Sequence, residues 1–246
     1  MFRPGPKYKI AALLTGKKNS SLKDKNILPV CGRPLVSYPA AAARKSRFIS
    51  YFYVSSDDSR ILKIAAKLGY RMIARPKRLA GVNSKHADVI LHALNFMRKQ
   101  HALIPDILVV LLANSVSVKT EWIDSCINLM LKDRQASAIV PVCLDLDRHP
   151  FRAKKIGENG CLLPFFNFKG KQISTNRQEL ERSYFLCHNF WVLNVRKSVF
   201  SQTGQPPWSF MGNKVKPFIV SSCCDVHTKE DIKRAQEWIK KQGIGV

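Results

Sequence analysis

The stretch AALLTGKKNSSLKDKNILPVCGRPL, residues 11–35, decides the fold of this 246-residue chain. The apolar run Ile10–Leu14 ends at Thr15 and Gly16, and a polar loop that carries four lysines follows. Such a run is typical of a strand buried on both faces of a parallel sheet. Small residues let backbone N–H groups turn inward and lysines add positive charge, so the loop predicts a phosphate-binding turn. The alternative is an exposed turn whose lysines only keep the surface soluble.

Beyond this stretch, strands and helices alternate through the first 145 residues. We predict strands at Tyr8–Leu14, Ser50–Ser55, Arg71–Ala74, Ile107–Leu112 and Ser137–Cys143. We predict helices at Pro34–Lys45, Ser59–Leu68, Lys85–Gln100 and Thr120–Lys132. This order predicts an α/β fold, a doubly wound and mostly parallel sheet with helices on both faces.

The alternation of strands and helices ends at residue 145. From there to about Tyr184 the sequence predicts short strands separated by Gly-containing turns. Core strands are expected to resume at Phe185–Leu193 and Lys216–Ser221, and a last helix at Lys229–Gln242, with Thr228 as its N-cap. We therefore interpret residues 1–246 as one domain with an insertion at about 145–195, suited to a lid or a dimer contact.

The candidate site lies where the strands end, because ligands of such sheets bind outside the carboxyl ends of the strands. Four polar stretches fall there and are expected to converge on one site: Thr15–Asn26, Ser55–Ser59, Ala113–Thr120 and Asp225–Asp231. Asp57, Asp58 and Asp231 fit the starts of helices first, and a ligand site second.

The composition narrows the choice of partners. Forty-one Lys and Arg against 17 Asp and Glu give a formal net charge of +24, which predicts attraction to polyanions. The basic residues are spread along the chain, and no nucleic-acid-binding motif is present, so we expect no specific nucleic-acid partner. No apolar segment approaches the ~20 residues that span a bilayer, and no signal peptide is recognisable. We expect a soluble, cytoplasmic protein without membrane contact.

The seven cysteines form no CxxC pair and no repeated spacing, and the six histidines form no HxxxH or Cys-His cluster. This pattern is typical of reduced, buried thiols in a cytosolic protein. It gives no indication of a structural zinc site.

Several segments occur together in an order that resembles one enzyme family. They are LKDKNILPVCGRPLVSY from Leu22, SSDDSRILKIAAKLG from Ser55, RPKRLA from Arg75, HADVILHAL from His86 and DVHTKEDI from Asp225. Each segment alone is a weak signal, but the ordered set resembles the cytidylyltransferases that activate acidic sugars, the acylneuraminate and related nonulosonate CMP-sugar synthetases.

The resemblance implies a fold, a reaction and partners. The implied fold is a Rossmann-like, GT-A-type nucleotidyltransferase sheet with a small β-rich dimerisation insertion. The implied reaction transfers CMP from CTP to an acidic 2-keto sugar of eight or nine carbons, Kdo-like or sialic acid-like, and releases pyrophosphate. The implied partners are CTP, the sugar and a second copy of the chain in a homodimer.

The resemblance also implies a nucleotide-binding set. Its members are Thr15, Gly16, Lys17, Lys18, Ser20, Ser21, Lys25, Asn26, Arg75, Ala80, Asn83 and Ser84. The family's first loop carries an arginine and a lysine for the phosphates, where this chain has Gly16 and Ser20. Neighbouring lysines are expected to replace those charges.

A second implied set faces the sugar. Its members are Asn114, Ser115, Lys119, Arg177, Gln178, Asn189 and Phe190, with Trp191 as the alternative wall to Phe190. Ala113 and Lys119 stand where the family has glutamine and arginine. Lysine keeps the positive charge but lacks the planar fork that arginine offers to a carboxylate.

The implied catalytic and metal residues are Lys25, Asp225 and His227, of which Asp225 and His227 stand for a family Asp-x-Asp motif that holds Mg²⁺. Imidazole is a poorer ligand for magnesium than carboxylate, so Mn²⁺ or another divalent ion is also expected to fit. His227 could otherwise bind a phosphate or accept the proton of the sugar hydroxyl.

Three other functions remain open from the sequence. The chain could be a nucleotidyltransferase for a different base or sugar. It could be a non-catalytic nucleotide-binding protein that keeps the fold. The high positive charge leaves a nucleic-acid binder as the third possibility.

Overall fold

The structure is a computed structural model that describes residues 8–18, 22–81, 83–170, 172–201 and 203–244. The strands are β1 Ile10–Thr15, β2 Pro29–Val30, β3 Arg33–Pro34, β4 Tyr51–Ser56, β5 Arg71–Ala74, β6 Ile107–Leu112, β7 Ala138–Leu144, β8 Lys154–Ile156, β9 Leu162–Pro164, β10 Tyr184–Leu186, β11 Phe190–Asn194 and β12 Val215–Ile219. The α-helices are α1 Ser37–Arg44, α2 Ser59–Lys67, α3 His86–His101, α4 Thr120–Lys132 and α5 Lys229–Lys241.

One half of the central sheet is parallel, in the order β5-β4-β1-β6. Every residue of β1 and β6 is buried, because helices cover both faces of these strands. In the middle of the sheet Leu13 of β1 lies between Tyr53 and Val110. The predicted strands Arg71–Ala74 and Ile107–Leu112 are confirmed to the residue.

The other half of the sheet is mixed. Strand β11 runs antiparallel between β6 and β7, β10 pairs antiparallel with the far end of β7, and β12 pairs with β7 in parallel. The α/β class and the mostly parallel sheet are thus confirmed. The antiparallel strands β10 and β11 lie in the half of the sheet that contains β7.

Apolar side chains form a core on each face of the sheet. Helices α1, α2 and α4 pack on one face through residues such as Ala40, Ile61 and Ile123. Helix α3 covers the other face through Ile90 and Met97. Helix α5 packs separately, against the segment around β2 and β3. The expected helices on both faces are confirmed.

The prediction of one strand over Phe185–Leu193 is wrong, because the chain breaks between β10 and β11. Asn189 makes the break: its carbonyl accepts from the Leu112 N–H at 3.0 Å, and its Nδ2 donates to the Ser117 carbonyl at 2.8 Å. A side chain that bonds backbone in this way competes with the regular ladder. The break turns His188 toward the end of the parallel strands.

The segment between β7 and β10 projects from the sheet as the hairpin β8–β9 and loops. Its apolar side chains are open to solvent, with Ile156 at 76% and Leu162 at 70% exposure. Within the described ranges, no helix combines the length and the apolar character needed to cross a membrane.

Candidate functional site

A cleft of about 330 Å³ opens at the carboxyl ends of the parallel strands. The loop after β1 forms one wall with Gly16, Lys17 and Lys25, and the segments after β5 and β6 add Arg75 and Asn114. Asp225 and His227 reach the same cleft from the segment between β12 and α5. The four polar stretches identified in the sequence lie at this edge of the sheet, and three of them line the cleft.

Lys25 sits in a 3-10 turn, Lys25–Ile27, and only 6% of its surface is exposed. Its carbonyl accepts from the Leu28 N–H at 3.2 Å, which fixes the turn. Burial lowers the pKa of the Lys25 ammonium, while the negative charge of Asp225 acts in the opposite direction. A lysine held this way presents a single positive charge at a fixed point in the cleft.

Asn26 closes the loop on itself. Its Nδ2 donates to the Lys17 carbonyl at 3.0 Å, and its own carbonyl accepts from the Val36 N–H at 2.9 Å. Gly16 is tightly seated, because a Cβ built there would lie 3.0 Å from the Ala113 Cβ. The two positions at which the chain departs from the pattern of the family that it resembles are therefore neighbours in space.

Helix α2 anchors the same loop from outside. Asp58 caps the helix by accepting from the Arg60 N–H, as the sequence predicts, and Arg60 also pairs with Asp24 of the loop at 2.5 Å. The Arg60 hydrogen bonds lower the pKa of both carboxyls. Asp57 accepts from the Lys18 N–H at 3.0 Å. These acidic residues therefore hold the loop rather than line the cleft.

Arg75 adds a second buried cation, with 9% of its surface exposed. Its Nη2 donates to the Ser55 carbonyl at 2.7 Å, and its Nε donates to the Ser55 hydroxyl at 3.2 Å. Burial lowers the pKa of the guanidinium to about 10, so it stays protonated at neutral pH. The charge of Asp57 opposes this shift only in part, and a buried cation of this kind favours an anionic ligand.

Asp225 is held opposite these cations by a single bridge between its backbone and that of Ser115. Its Oδ1 is buried and has no hydrogen-bond partner. Burial, assisted by Cys223, raises the pKa of the Asp225 carboxyl to about 7, against the opposing effects of Ser115 and Lys25. A buried acceptor without a partner marks a place where a ligand or an ion completes the site.

His227 lies two residues further along and also faces the cleft. Its backbone N–H donates to Asp231 at 3.0 Å, and Asp231 forms a capping box with Thr228 at the start of α5. Thr228 and Asp231 thus have the helix-start roles predicted for them. Desolvation and the Lys25 charge lower the pKa of His227, so its imidazole is neutral at pH 7. A neutral imidazole suits metal coordination or proton acceptance better than pairing with a phosphate.

The opposite wall is aromatic. The Trp191 ring lies 5.3 Å from His86 and 6.1 Å from His188, and His188 lies 5.3 Å from Trp208. Desolvation lowers the pKa of both histidines; His86 keeps part of its surface open to solvent, and both are neutral at pH 7. The Trp191 Nε1 is buried and has no acceptor among the described residues.

The structure brings ten of the sequence-predicted residues to the cleft: Thr15, Gly16, Lys17, Lys25, Asn26, Arg75, Ser84, Asn114, Asp225 and His227. Three further predicted residues, Lys18, Ala80 and Asn83, are close in sequence to this set, but they do not line the cleft. Ser20 and Ser21 lie outside the described residues.

Most of the predicted sugar-facing residues are elsewhere. Lys119 lies over the rings of Trp122 and Trp238, away from the cleft. Asn189 and Phe190 are fully buried, the first in the strand break and the second in the core. Phe190 and Trp191 are adjacent in β11, so their side chains point to opposite faces of the sheet. Trp191 therefore faces the cleft, and Phe190 faces the core on the other side.

The remaining residues that were predicted to contact the sugar lie outside the cleft for different reasons. Ser115 is buried beneath the segment that carries Asp225, and its hydroxyl donates to the Cys224 carbonyl at 3.0 Å. Arg177 and Gln178 lie in the projecting insertion, where Arg177 pairs with Asp147. Neither residue reaches the cleft of its own chain.

Sequence reasoning missed His86, His188 and Trp208. His86 begins helix α3 directly after the RPKRLA segment, so its position at a helix start was a usable signal. His188 and Trp208 had none, because they reach the cleft only through the strand break and a distant loop.

Comparison with known proteins gives a consistent picture. A family model described as cytidylyltransferase matches residues 18–151, more than half of the chain. A Helicobacter pylori protein named pseudaminic acid cytidylyltransferase and UDP-2,4-diacetamido-2,4,6-trideoxy-beta-L-altropyranose hydrolase is 22% identical over 81% of this chain and 37% of its own length. The Escherichia coli N-acylneuraminate cytidylyltransferase is 31% identical over 35% of this chain and 21% of its own length.

A Campylobacter jejuni pseudaminic acid cytidylyltransferase is 30% identical over 32% of this chain and 34% of its own length. The chain thus spans between 21% and 37% of the length of these relatives in the matched regions. Among solved structures, a CMP:2-keto-3-deoxy-manno-octonic acid synthetase complexed with CTP has a TM-score of 0.69 at 15% identity, covering 95% of this chain and 99% of that one. A 4-diphosphocytidyl-2C-methyl-D-erythritol synthase from Anaerococcus prevotii has a TM-score of 0.64 at 14% identity, covering 95% and 96%.

Proposed function

This chain belongs to the cytidylyltransferase family, and on that premise we propose that it transfers CMP from CTP to an acidic 2-keto sugar and releases pyrophosphate. The relatives named for pseudaminic and N-acylneuraminic acids support a nonulosonate as the acceptor. The structure named for an octonic acid shares the fold and leaves a Kdo-like sugar as the alternative acceptor.

One observation carries the proposal. Two buried cations, Lys25 and Arg75, face the same cleft as Asp225, whose Oδ1 lacks a partner. Cations that hold phosphates and a carboxylate that holds their metal ion are the parts that phosphoryl transfer requires. A merely solvated basic loop would not bury its lysine.

The reaction follows from this placement. The sugar hydroxyl oxygen forms a bond to the α-phosphorus of CTP, and the bond from that phosphorus to the bridging oxygen of the β-phosphate breaks. Lys25, Lys17 and Arg75 hold the triphosphate and offset the charge that builds on the leaving pyrophosphate. The hydroxyl proton passes to the neutral imidazole of His227, which lines the cleft beside Asp225.

Magnesium fits the residues present, since the ion is commonly held by one or two carboxylates together with substrate phosphates. The partnerless Asp225 Oδ1 offers one such ligand, and His227 offers a nitrogen that would also suit Mn²⁺. When bound, the ion would neutralise phosphate charge. Asp225 is therefore the proposed ligand of Mg²⁺, with His227 as the proton acceptor. If Mn²⁺ were instead held through the His227 nitrogen as well, the hydroxyl proton would pass to solvent.

The aromatic wall is proposed to hold the sugar. His188 and Trp208 add partly exposed, uncharged rings beside the nearly buried Trp191, and such rings suit the apolar face of a sugar. On this proposal the nucleotide lies against the basic loop, and the sugar lies against β11 and the loop of Trp208.

The test is pyrophosphate release by the purified 246-residue chain with CTP, Mg²⁺ or Mn²⁺, and N-acetylneuraminate, pseudaminate and 2-keto-3-deoxy-manno-octonate in turn. Release with at least one sugar is expected, together with its loss in Asp225→Asn. Asp124→Asn, on helix α4 away from both the cleft and the insertion, is the matched control and should keep full activity. No release with any sugar and either metal would overturn the proposal.

Thermal shifts separate the remaining alternatives. CTP should raise the Tm far more than UTP, GTP or ATP at equal concentration. A larger shift with another nucleotide would indicate a different base. A CTP shift without turnover for any sugar would indicate a non-catalytic nucleotide-binding protein.

We further propose that the chain forms a homodimer through the projecting insertion. Ile156, Leu162 and Phe165 are between 57% and 76% exposed on this segment, and apolar side chains on that scale favour a protein partner. Light scattering should show a dimer that Ile156→Glu and Leu162→Glu together convert to a folded monomer. A monomeric wild type would contradict the proposal.

The site of action is proposed to be the cytoplasm. All seven cysteines lie within the described residues and are free thiols. Unpaired thiols in this number are typical of proteins in a reducing compartment.

A further inference from the structure

Three cysteines that are far apart in the sequence meet at the carboxyl end of β7. The sulfur atoms of Cys143, Cys187 and Cys223 all lie within 4.8 Å of one another. Cys187 is buried, whereas Cys143 and Cys223 are partly accessible. The spacing of the cysteines along the chain gave no sign of this cluster, since 44 and 36 residues separate them.

The sheet fixes the cluster on three sides. Cys143 of β7 lies opposite Phe185 of β10, so Cys187, two residues further on, faces the same side of the sheet as Cys143. The Cys187 N–H donates to the Pro141 carbonyl at 2.9 Å, which holds this position. Cys223 arrives from β12 on the other edge of β7, three residues after Val220 bonds to the Val142 carbonyl at 2.9 Å. The three sulfur atoms are therefore positioned by hydrogen-bonded backbone.

We propose that Cys143, Cys187 and Cys223 bind one thiophilic metal ion, Zn²⁺, with water in the fourth position. A tetrahedral ion with Zn–S bonds of about 2.3 Å holds its sulfur ligands about 3.8 Å apart. Sulfur atoms within 4.8 Å of one another reach that spacing by movements of roughly 1 Å or less. Among the described residues no histidine or carboxylate joins the group, so the fourth position is left to solvent.

Ligand type separates this ion from the one proposed for the cleft. Three thiolates select a soft ion, whereas the carboxylate and phosphate oxygens of the cleft select a hard one. Each coordinating thiol releases its proton to solvent when the ion binds, so binding strengthens as the pH rises.

The position of the cluster gives the ion a structural consequence. Cys223 lies two residues before Asp225 on the same extended segment, and Ser115 and Ser117 hold the intervening Cys224 through its carbonyl and N–H. An ion shared between Cys223 and two sheet cysteines would fix the segment that presents Asp225 to the cleft. The cysteines are thus positioning residues for Asp225, in addition to being metal ligands.

The experiment uses Co²⁺ as a spectroscopic probe on the reduced 246-residue chain. One equivalent of Co²⁺ should produce a thiolate-to-metal charge-transfer band in the near ultraviolet, and added Zn²⁺ should remove it. Cys143→Ser and Cys223→Ser, at the two accessible positions, should each weaken Co²⁺ binding by about 100-fold or more, because even outer-shell changes cost 10- to 100-fold.

Two controls make the result decisive. Cys161→Ser, on the exposed hairpin, should keep the wild-type band, and Asp225→Asn should keep it too, since a carboxylate gives no thiolate band. Circular dichroism must show that each variant is folded. Absence of the band in the wild type, or its persistence in folded Cys223→Ser, would overturn the proposal whether or not the chain has transferase activity.

Discussion

The two walls of the cleft are built in different ways. The basic wall comes from short loops that follow parallel strands, and its side chains are Lys17, Lys25 and Arg75. The aromatic wall comes from the antiparallel half of the sheet, where Trp191 and His188 depend on a broken strand. One wall is set by local sequence, and the other by contacts between distant segments.

The difference matches the two substrates in the proposed reaction. A triphosphate presents the same charges in every nucleotidyltransferase, so fixed cations at strand ends suffice to hold it. Sugars differ in shape, and a wall made from strand breaks and loops can change without disturbing the parallel core. On this account the basic wall governs the rate and the aromatic wall governs the choice of sugar.

The largest effect is expected from the basic wall. Lys25→Met should lower kcat/KM for CTP by about 10²–10³-fold, the cost of removing one fixed charge-stabilising group. Lys18→Met is the matched control, because Lys18 is exposed and contributes only its backbone N–H to Asp57. Steady-state kinetics should show a change below about threefold for Lys18→Met, since exposed charges are screened by salt. Equal losses in both variants would contradict the special role of Lys25.

The pH dependence tests the carboxylate between the two walls. The pKa of Asp225 is raised to about 7, so kcat/KM should fall by about tenfold per pH unit below 7 as the carboxylate proposed to bind the metal ion becomes protonated. Lys25, Cys223, Asp231 and Ser115 are the groups that influence this titration. A profile that stays flat between pH 5 and 7 would contradict it.

The same carboxyl also affects stability. Between pH 4 and 7 the folded chain keeps a proton that the unfolded chain has lost, so the unfolding free energy falls as the pH rises through this range. Asp225→Asn should remove this dependence and raise the Tm at pH 8, where the wild type carries a buried charge. Thermal melts of both proteins at pH 5 and pH 8 measure the difference.

A smaller effect is expected from the aromatic wall. Trp191→Phe replaces the indole by a smaller phenyl ring and removes the buried Nε1, and should raise the KM for the sugar by about 3- to 10-fold, the scale of one lost polar contact. The affinity for CTP should stay unchanged. Trp122→Phe, which packs against Trp238 away from the cleft, is the control. A loss of CTP affinity in Trp191→Phe would show that the two walls do not divide the substrates.

The smallest effect concerns the contact between Gly16 and Ala113. Gly16→Ala should lower the unfolding free energy, because its Cβ would lie 3.0 Å from the Ala113 Cβ. Adding Ala113→Gly should restore part of the loss, with a coupling of about 0.5–1 kcal/mol measured by denaturant unfolding. Gly81→Ala is the control, since the nearest atom to its Cβ would be 3.8 Å away. If the effects of Gly16→Ala and Ala113→Gly on the unfolding free energy were strictly additive, the predicted contact would be contradicted.

Sequence patterns predicted the basic wall better than the aromatic one. The apolar strand before Thr15 and the caps at Asp58 and Thr228 depend on neighbours in the chain, and such signals are local. The break at Asn189 depends on hydrogen bonds to Leu112 and Ser117, more than 70 residues away. Periodicity cannot register a partner at that distance, so one strand was predicted where there are two.

The cysteines show the same limit. Spacing rules find metal sites whose ligands are close in sequence, whereas Cys143, Cys187 and Cys223 come together only through the pairing of three strands. Gly16 and Ala113 differ from the family pattern separately in the sequence, and their contact becomes visible only in space.

The bridge between Asp225 and Ser115 also bears on biosynthesis. Lys25 and Asp225 are 200 residues apart in the chain, and a domain generally folds as one unit. Strand β6, which follows Lys25, is buried between β1 and β11, so the basic wall also depends on residues made much later. Competence for turnover is therefore expected only after the segment that carries Asp225 has left the ribosome.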